Sequence, residues 1–540
     1  MRLLRTSLFW RWLIVPACLL ATVGCRDRAD VAAERGILIL GNGGEPKALD
    51  PQLVSSVGDS NIMSALFEGL VSYHPSDDTQ DLPGVAERWE PNEDFSAWTF
   101  FLRRNARWSN GDLVTAHDFV YAYERILSPD LGSPYASMLY FLKGAKAFHE
   151  ASTMDFATVG VKAMDDFTLH CDLVAPTAYF PSVVKHTTYL PVHRETIESF
   201  GSMTERFTRW QKPGNHVGNG PFQLRSWRVN HSVIVEPNPF YWDAEEVSLR
   251  EIRFLPLDQF PEERAFQDGL VHVTYVLPSN LIEWYREERP EVFRSEPYAG
   301  IYFYRCNLAK KPLDDVRVRK ALSLSIDREA IVKNITMGGQ LPASGFVPPT
   351  EGGYVAPEVV SFDPARARAL LAEAGYPDGD GFPAIELMYN TSEAHRPIAE
   401  AIQSMWKKEL GVETIRLNNQ EWKAFQQTIF EEKYEIGRAG WIADYVDPTT
   451  FLDMWRTGDS NNNTSWSSPK YDRLLQEAAL EADPEARRKK LFAAEEVLLE
   501  EMPVIPLYWY TRTYAIHPAV KHWNPLLLDK RDYKFIELQP

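Results

Sequence analysis

Two opposite charges lie inside one apolar run near residue 440. The stretch 435–448 reads EIGRAGWIADYVDP, and its interior carries Arg438 and, six residues later, Asp444. Because an extended chain rises about 3.3 Å per residue, these charges can lie up to about 20 Å apart, which is too far for a salt bridge. The spacing suits a bound molecule that is positive at one end and negative at the other. A short peptide is such a molecule.

Motifs that tie residue spacing to catalysis are missing from the rest of the sequence. It contains no HExxH, GxSxG, Walker A or CxxC pattern. The glycine cluster at 214–220 predicts a turn, because it lacks the preceding strand and following helix of a phosphate loop. The 12 histidines show no pair at metal-ligand spacing. We therefore expect no catalytic residue, no metal and no cofactor. A secreted hydrolase stays an alternative, since 75 acidic residues provide many carboxylate pairs.

Large aromatic residues near turns and strand ends indicate recognition rather than catalysis. Such rings can form the wall of a ligand cavity, although ordinary core or rim packing is the better explanation of any single one. The candidates are Tyr135, Tyr298, Tyr302, Tyr389, Trp422, Trp441 and Tyr445.

The first 24 residues differ in composition from the rest. They contain three arginines and no acid, followed by the apolar run LIVPACLLATVG. This run is too short to cross a bilayer and predicts a cleaved signal peptide. The sequence TVGC at its end resembles the lipobox of bacterial lipoproteins, although Thr22 replaces the usual leucine. The resemblance implies cleavage before Cys25 and lipidation of its thiol, with simple secretion as the alternative.

Composition and charge restrict the class of protein further. A chain of 540 residues is long enough for two to four domains, and 44% hydrophobic residues favour a globular protein over a disordered one. Without residues 1–24 the net charge is about −21, which disfavours nucleic acid or an anionic membrane surface as partner. Cys171 and Cys306 lie in β-like runs, and we expect two buried free thiols rather than a bridge.

Strands and helices alternate along the chain. SNIMSALFEGLVSY predicts a helix capped by Ser60 or Asn61, and VTAHDFVYAYERIL predicts one behind Thr115. Further on, FDPARARALLAEAGYP predicts a helix with Asp363 as N-cap and Gly375 past its end. Strand patterns at AIELMYN, ETIRLNN and GRAGWIADY are separated by helical patterns. This βαβαβ order predicts a mostly parallel sheet.

Many segments, in order from about residue 37 to the C-terminus, resemble the solute-binding proteins of peptide ABC transporters (family 5), and most of all its oligopeptide-binding members. They are LDP (49–51), FEGL (67–70), PGVAERWE (83–90), WTFFLRRNARWSNGDLVTAHDFVYAYER (98–125), SPYAS (133–137), DDVRVRKAL (314–322), YNTSEAH (389–395), NQEWK (419–423) and RAGWIADY (438–445).

The resemblance implies an α/β, bilobal periplasmic-binding-protein fold, large and type II-like, with a third domain packed on the first lobe. The lobes are expected to close over the ligand about a hinge. The expected organisation is signal peptide 1–24, lipid-anchored tether 25–36, lobe I from 37–69, 194–299 and 512–540, extra domain II from 70–193, and lobe III from 300–511.

The family's binding residues carry over to particular positions of this sequence. Asp444 would bind the α-amino group of a peptide by a charge-assisted hydrogen bond. Arg438 and His395 would bind the carboxylate of peptides of about three and four residues, with Lys310 as a weaker candidate. The peptide backbone would pair with a strand, as an added strand does. The residues implied in that pairing are Gly440 and Ile442, and the implied pocket walls are Trp422, Trp441 and Tyr135.

Three departures from the family pattern stand out. Ile429 occupies the position of an arginine that can hold short ligands, so very short peptides are in doubt. Gly300 and Ile442 stand where some members have a disulfide, and VDP at 446–448 replaces the common NEP.

Together these features predict a lipid-anchored, periplasm-facing, monomeric receptor. It would capture short oligopeptides for an inner-membrane ABC permease and perform no catalysis. The alternative ligand on the same fold is a murein peptide, a glutathione conjugate or a metal complex.

Overall fold

The computed structural model describes residues 28–540 except 55, 154, 350–353, 393, 460 and 482. The predicted signal peptide 1–24 and the predicted lipidation site Cys25 lie outside the described residues. Across the described part of the chain, no helix is both long enough and apolar enough to cross a membrane.

The part of lobe I nearest the N-terminus contains a four-stranded sheet. Its strand order is Ile37–Gly41, Glu251–Leu255, Ser232–Pro237 and Phe222–Arg228, with the first pair parallel and the others antiparallel. The predicted tether is partly folded, because a helix spans Arg28–Glu34 and buries Ala29, Ala32 and Ala33. Ala32 packs in one apolar cluster with Ile39 and Val271, so this helix belongs to the globular body.

Other helices of this part are short and surround the sheet. The helix Val57–Leu66 is capped by Ser56, which lies four residues before Ser60 and five before Asn61, the two predicted caps. Ser56 accepts a hydrogen bond from the Asp59 amide at 3.1 Å. The remaining α-helices here span Arg194–Glu198, Gln259–Gln267 and Ile282–Glu288.

Extra domain II is built on an antiparallel sheet ordered Ala86–Pro91, Ala97–Leu102, Thr168–Asp172 and Val161–Asp165. The helix Ala116–Leu127 begins behind Thr115 as predicted, and Asp118 completes a capping box. Short helices span Ala145–His149 and Phe180–Val183, and a hairpin pairs Val71–Tyr73 with Asp81–Pro83.

Lobe III contains a six-stranded sheet that is mixed rather than mostly parallel. Its order is Leu341–Pro342, Val504–Ala515, Phe293–Cys306, Ile436–Ile442, Ile385–Asn390 and Ile415–Gln420. Two of the five pairings are parallel and three are antiparallel, so the prediction of a mostly parallel sheet is wrong. The βαβαβ pattern describes one half of the sheet, whereas the long strands from distant parts of the chain form the other half.

Helices cover both faces of this sheet and enclose a separate apolar core on each face. Asp363 caps its helix as predicted, with its carboxylate accepting from the Arg366 amide at 2.9 Å, and Gly375 follows with φ of 98°. The α-helices span Val316–Leu324, Arg328–Ile331, Pro364–Glu373, His395–Leu410, Trp422–Phe430, Thr449–Leu452, Pro469–Ala479 and Pro484–Glu501.

Two long antiparallel strands connect the sheet of lobe III to lobe I. Phe293–Cys306 pairs with Val504–Ala515 from Phe293 opposite Ala515 to Arg305 opposite Val504, with a register shift between Pro297 and Ile301. Ala515 packs among lobe I residues, whereas the other end of each strand lies within the sheet of lobe III. The architecture is thus α/β and bilobal with an additional domain, as predicted, while the exact bounds of the three units stay a prediction.

Both predicted free thiols are unpaired and buried. Cys171 lies in the sheet of extra domain II, and Cys306 ends a strand of the six-stranded sheet.

Candidate functional site

A cavity of about 830 Å³ lies between the three parts of the chain. Lobe III contributes Trp422 and the segment from Arg438 to Asp444. Extra domain II contributes Tyr135 and His186, and the C-terminal part of lobe I contributes Lys530. A cavity with walls from separate units encloses its ligand when those units close on each other.

The strand Ile436–Ile442 reaches this cavity with one edge open. One neighbour, Phe293–Cys306, pairs along its whole length, from Gly300 opposite Ile442 to Cys306 opposite Ile436. The parallel neighbour Ile385–Asn390 pairs only with Ile436 and Gly437. Among the described strands, none pairs with residues 438–442 on that side. The open edge presents main-chain donors and acceptors that an added strand can satisfy.

Asp444 follows this strand and holds a carboxylate of unusual character. Its side chain is 18% exposed, and burial raises its pKa from 3.8 to about 7, although the charge of Lys530 opposes the rise. The Asp444 amide donates to Thr450 Oγ1 at 3.1 Å, which fixes the backbone there. The His186 Nε2 atom lies 3.8 Å from the Asp444 Oδ1 atom.

His186 does not neutralise Asp444. Burial and, to a smaller extent, the charge of Lys530 lower the pKa of His186 from 6.5 to about 3, so the imidazole is neutral at pH 7. Its Nδ1 accepts from the Thr188 amide at 3.4 Å, which leaves the proton on the Nε2 that faces Asp444. A separation of 3.8 Å is too long for a hydrogen bond. The carboxylate therefore has room for a stronger cationic partner.

Arg438 lies on the opposite end of the open edge and has no carboxylate partner among the described residues. Its Nη2 donates to the Tyr510 hydroxyl at 3.2 Å, and its Cζ lies 4.7 Å from the centre of the Tyr302 ring. These contacts hold the guanidinium in place without neutralising it. It can thus accept the carboxylate of a ligand.

The structure requires glycine at position 440 for a reason that differs from the predicted one. A Cβ atom at this position would collide with the hydroxyl of Tyr510. The glycine thus makes room for the tyrosine that positions Arg438. The sequence interpretation had attributed it only to the approach of a ligand backbone.

Seven of the nine predicted ligand-binding residues line the cavity, and their roles stay predictions. They are Asp444, Arg438, Gly440, Ile442, Trp441, Trp422 and Tyr135. Burial and the charge of Asp444 raise the pKa of Tyr135 to about 12. Trp422 is half exposed and stacks on Phe425, with ring centres 6.0 Å apart.

His395 and Lys310 do not line the cavity. The His395 imidazole contacts the Tyr302 ring, with ring centres 5.5 Å apart and Nδ1 3.3 Å from the Tyr302 hydroxyl. Burial and Arg438 lower its pKa to about 3, so it carries no positive charge at neutral pH. Lys310 is exposed in the turn after the strand Phe293–Cys306.

Several lining residues were missed by the sequence interpretation. Arg512 and Lys530 come from the C-terminal segment, where no local pattern distinguished them. Arg305 did have a signal, since it interrupts the apolar run GIYFYRCNL just as Arg438 interrupts its own run. Gly300 and Ile442, where the family resemblance implied the loss of a disulfide, are direct register partners here.

One acidic group with a histidine lies outside the cavity. Ligand atoms of Asp112, His193 and Glu195 lie within 4.8 Å of one another. His193 already contacts Asp112 at 3.2 Å and Thr196 Oγ1 at 2.7 Å, which accounts for its position at the start of a short helix.

The fold and the site define an extracellular solute-binding protein. Residues 82–463 match the family model for bacterial extracellular solute-binding proteins of family 5, and the chain belongs to this family.

Similar proteins agree with this family over nearly the whole length. The periplasmic oligopeptide-binding protein OppA of Salmonella typhimurium is 39% identical over 502 residues, covering 90% of each chain. The solved structure of the Escherichia coli murein tripeptide binding protein MppA superposes with a TM-score of 0.81 at 34% identity, covering 93% of this chain and 98% of that one. Haemophilus influenzae OppA in complex with the peptide RPPGFSPFR gives a TM-score of 0.79 at 32% identity, covering 93% and 99%.

Proposed function

We propose that this protein binds short oligopeptides in the cavity between its lobes and delivers them to an ABC permease. The peptide lies extended along residues 438–442, with its α-ammonium at Asp444 and its carboxylate near Arg438. His395 and Lys310, the other residues that the family resemblance implies for the ligand carboxylate, stay predictions. They would apply to longer ligands or to a different closed arrangement of the lobes.

One observation carries the proposal. An open strand edge lies between a carboxylate without a strong cationic partner and an arginine without a carboxylate partner among the described residues. A peptide with free ends offers the complement of all three features, because it has an ammonium, a strand-forming backbone and a carboxylate. The peptide-binding relatives support the same assignment.

The wider setting of this function is also a proposal. The family and its periplasmic relatives support a place outside the cytoplasm and a binding role without catalysis. A monomeric state stays a prediction from the sequence. The lipobox-like TVGC sequence supports attachment to the membrane through Cys25. The net negative charge supports a partner other than nucleic acid.

Native mass spectrometry tests the proposal directly. The protein is unfolded and refolded to remove co-purified ligands, and then incubated with a mixture of peptides of two to six residues with free ends. We expect one peptide bound per protein and full recovery of the intact peptides. Peptides blocked at both ends should not bind. Equal binding of blocked and free peptides would contradict the proposal, and cleavage would favour a hydrolase. Displacement of all peptides by the murein tripeptide alone would favour that alternative ligand.

A further inference from the structure

Arg305 is a buried cation without a hydrogen-bond or ion-pair partner among the described residues. The residue is 8% exposed, and its Nε is buried without any hydrogen-bond acceptor. Among the described residues, no carboxylate forms an ion pair with its guanidinium. Its nearest aromatic neighbours, Phe303 and Trp455, have ring centres 5.7 Å from its Cζ. Burial accordingly lowers its pKa.

Other buried arginines of this chain are neutralised or hydrogen-bonded. Arg125 forms two hydrogen bonds with Asp50, at 3.0 and 2.7 Å. Arg319 donates to the Leu313 carbonyl at 2.7 Å, and Arg328 donates to a carbonyl at the same distance. Arg305 has neither kind of contact. Since a buried charge without compensation is strongly unfavourable, its counter-charge is expected to come from outside the chain.

The position of Arg305 directs it towards the ligand. Arg305 lines the cavity and is the register partner of Gly437 on the neighbouring strand. Register partners share a face of the sheet, so Arg305 lies on the same face as Gly437, whose other side is paired with Met388 and precedes the open edge at residues 438–442. Ile429 packs over this glycine and also lines the cavity.

Arg305 and Arg438 serve different parts of the cavity. Arg438 is the register partner of Tyr304, the residue before Arg305, so the two arginines point to opposite faces of the sheet. Side chains of an added strand alternate between the same two faces. Arg438 is thus available to the end of a peptide while Arg305 is available to one of its side chains.

With a neutral peptide bound, at least one positive charge that lines the cavity would have no counter-charge. The lining contains the carboxylate of Asp444, whereas Arg305, Arg438 and Lys530 form no salt bridge with described residues. Arg512 is already paired with Asp529 at 2.7 Å. A peptide with free ends and neutral side chains would compensate Asp444 and Arg438 but not Arg305.

We propose that Arg305 binds an acidic side chain of the ligand, so that the protein selects peptides with Asp or Glu. This inference rests on the proposed function. Because Gly437 lies seven residues from Asp444 along the chain, we expect the acidic residue after the first position of the peptide. A side-chain carboxylate that forms a bidentate pair with the Arg305 guanidinium would provide both the counter-charge and the hydrogen-bond acceptors.

Isothermal titration calorimetry with matched peptides tests this selection. Alanine tetrapeptides with free ends carry either Glu or its neutral isostere Gln at the second, third or fourth position. We expect the Glu peptide to bind about 10- to 100-fold more tightly than the Gln peptide at one of these positions. The variant Arg305→Met should remove this difference. Arg305→Lys should restore part of it.

Arg416→Met is the matched control, since Arg416 is exposed on a strand away from the cavity, and this variant should keep the full Glu preference. Thermal melting of every variant verifies folding.

Equal binding of the Glu and Gln peptides by the native protein at all three positions would overturn the proposal without any variant. A second series with C-terminal amides separates the two sources of carboxylate. If Arg305→Met removes the sensitivity to amidation but keeps the Glu preference, Arg305 binds the main-chain carboxylate and the proposal is wrong. If no free-ended peptide binds at all, the proposed function fails, which is a different result.

Discussion

Replacing Asp444 tests the anchor of the ligand most directly. Burial raises its pKa from 3.8 to about 7, which corresponds to about 4 kcal/mol of unfavourable free energy for the ionised form. A peptide ammonium that contacts the carboxylate can recover free energy of this order. We therefore expect Asp444→Asn to weaken binding of a free tetrapeptide by about 3–5 kcal/mol, a few hundred-fold or more.

Acetylation of the peptide removes the same interaction from the other side. Acetylation leaves the Asp444 carboxylate of the native protein buried without a counter-charge, so it should weaken binding by a comparable amount. The two changes should not add, because both remove one interaction. The Asn variant with the acetylated peptide should recover part of the loss, since neither charge is then buried alone.

Calorimetry on the four combinations of protein and peptide measures this coupling. Asp380→Asn is a suitable control, because Asp380 is exposed and lies outside the cavity. Equal affinity of the native protein for the acetylated and the free peptide would refute the reasoning. Asp444 would then not be the anchor, and a ligand without a free amino group would be favoured.

Four further predictions follow from the same structure. Because Asp444 must be ionised to hold an ammonium, peptide affinity should fall about tenfold per pH unit below pH 7, and it should fall again above the peptide amine pKa of about 8. In calorimetry at about pH 5.5–8.5, Asp444→Asn should remove the fall in affinity on the acidic side. Gly440→Ala should lower the free energy of unfolding by about 1–3 kcal/mol, and with it the melting temperature, because the new methyl group displaces Tyr510. The same displacement should reduce the discrimination between peptide acids and amides, and an unchanged melting temperature would contradict this prediction. Saturating peptide should raise the melting temperature and reduce the radius of gyration in small-angle scattering, whereas an unchanged profile despite binding would exclude lobe closure. Cys171 and Cys306 should be reduced thiols, so alkylation of unfolded protein should give the same intact mass with and without prior reductant.

The sequence identified the central part of the site because its signal is local. Arg438 and Asp444 interrupt one short apolar run, and a charge in such a run needs a partner or a ligand. Arg305 likewise interrupts an apolar run, although it was not among the predicted site residues. Lys530 reaches the cavity only because the C-terminal segment returns to lobe I, and no local pattern encodes such a long-range placement.

Element types were predictable to a greater extent than their arrangement. The helix behind Thr115 and the capped helix after Asp363 follow from caps that lie next to them in sequence. The order of the six-stranded sheet does not, because Phe293–Cys306 lies beside strands more than a hundred residues away. Where several polar residues occur in a row, as around Ser56 and Ser60, packing of the following apolar residues decides which one is the cap.

The open edge at residues 438–442 also constrains the length of the ligand. It exists because the parallel neighbour pairs only with Ile436 and Gly437. An exposed edge of this kind can pair with any extended chain, but here it lines a partly enclosed cavity between the lobes. The five residues of the edge span about 16 Å, which matches a peptide of about four or five residues in extended form. Longer peptides must leave the edge near Arg438, so their affinity should depend on pockets beyond it rather than on further pairing with this strand.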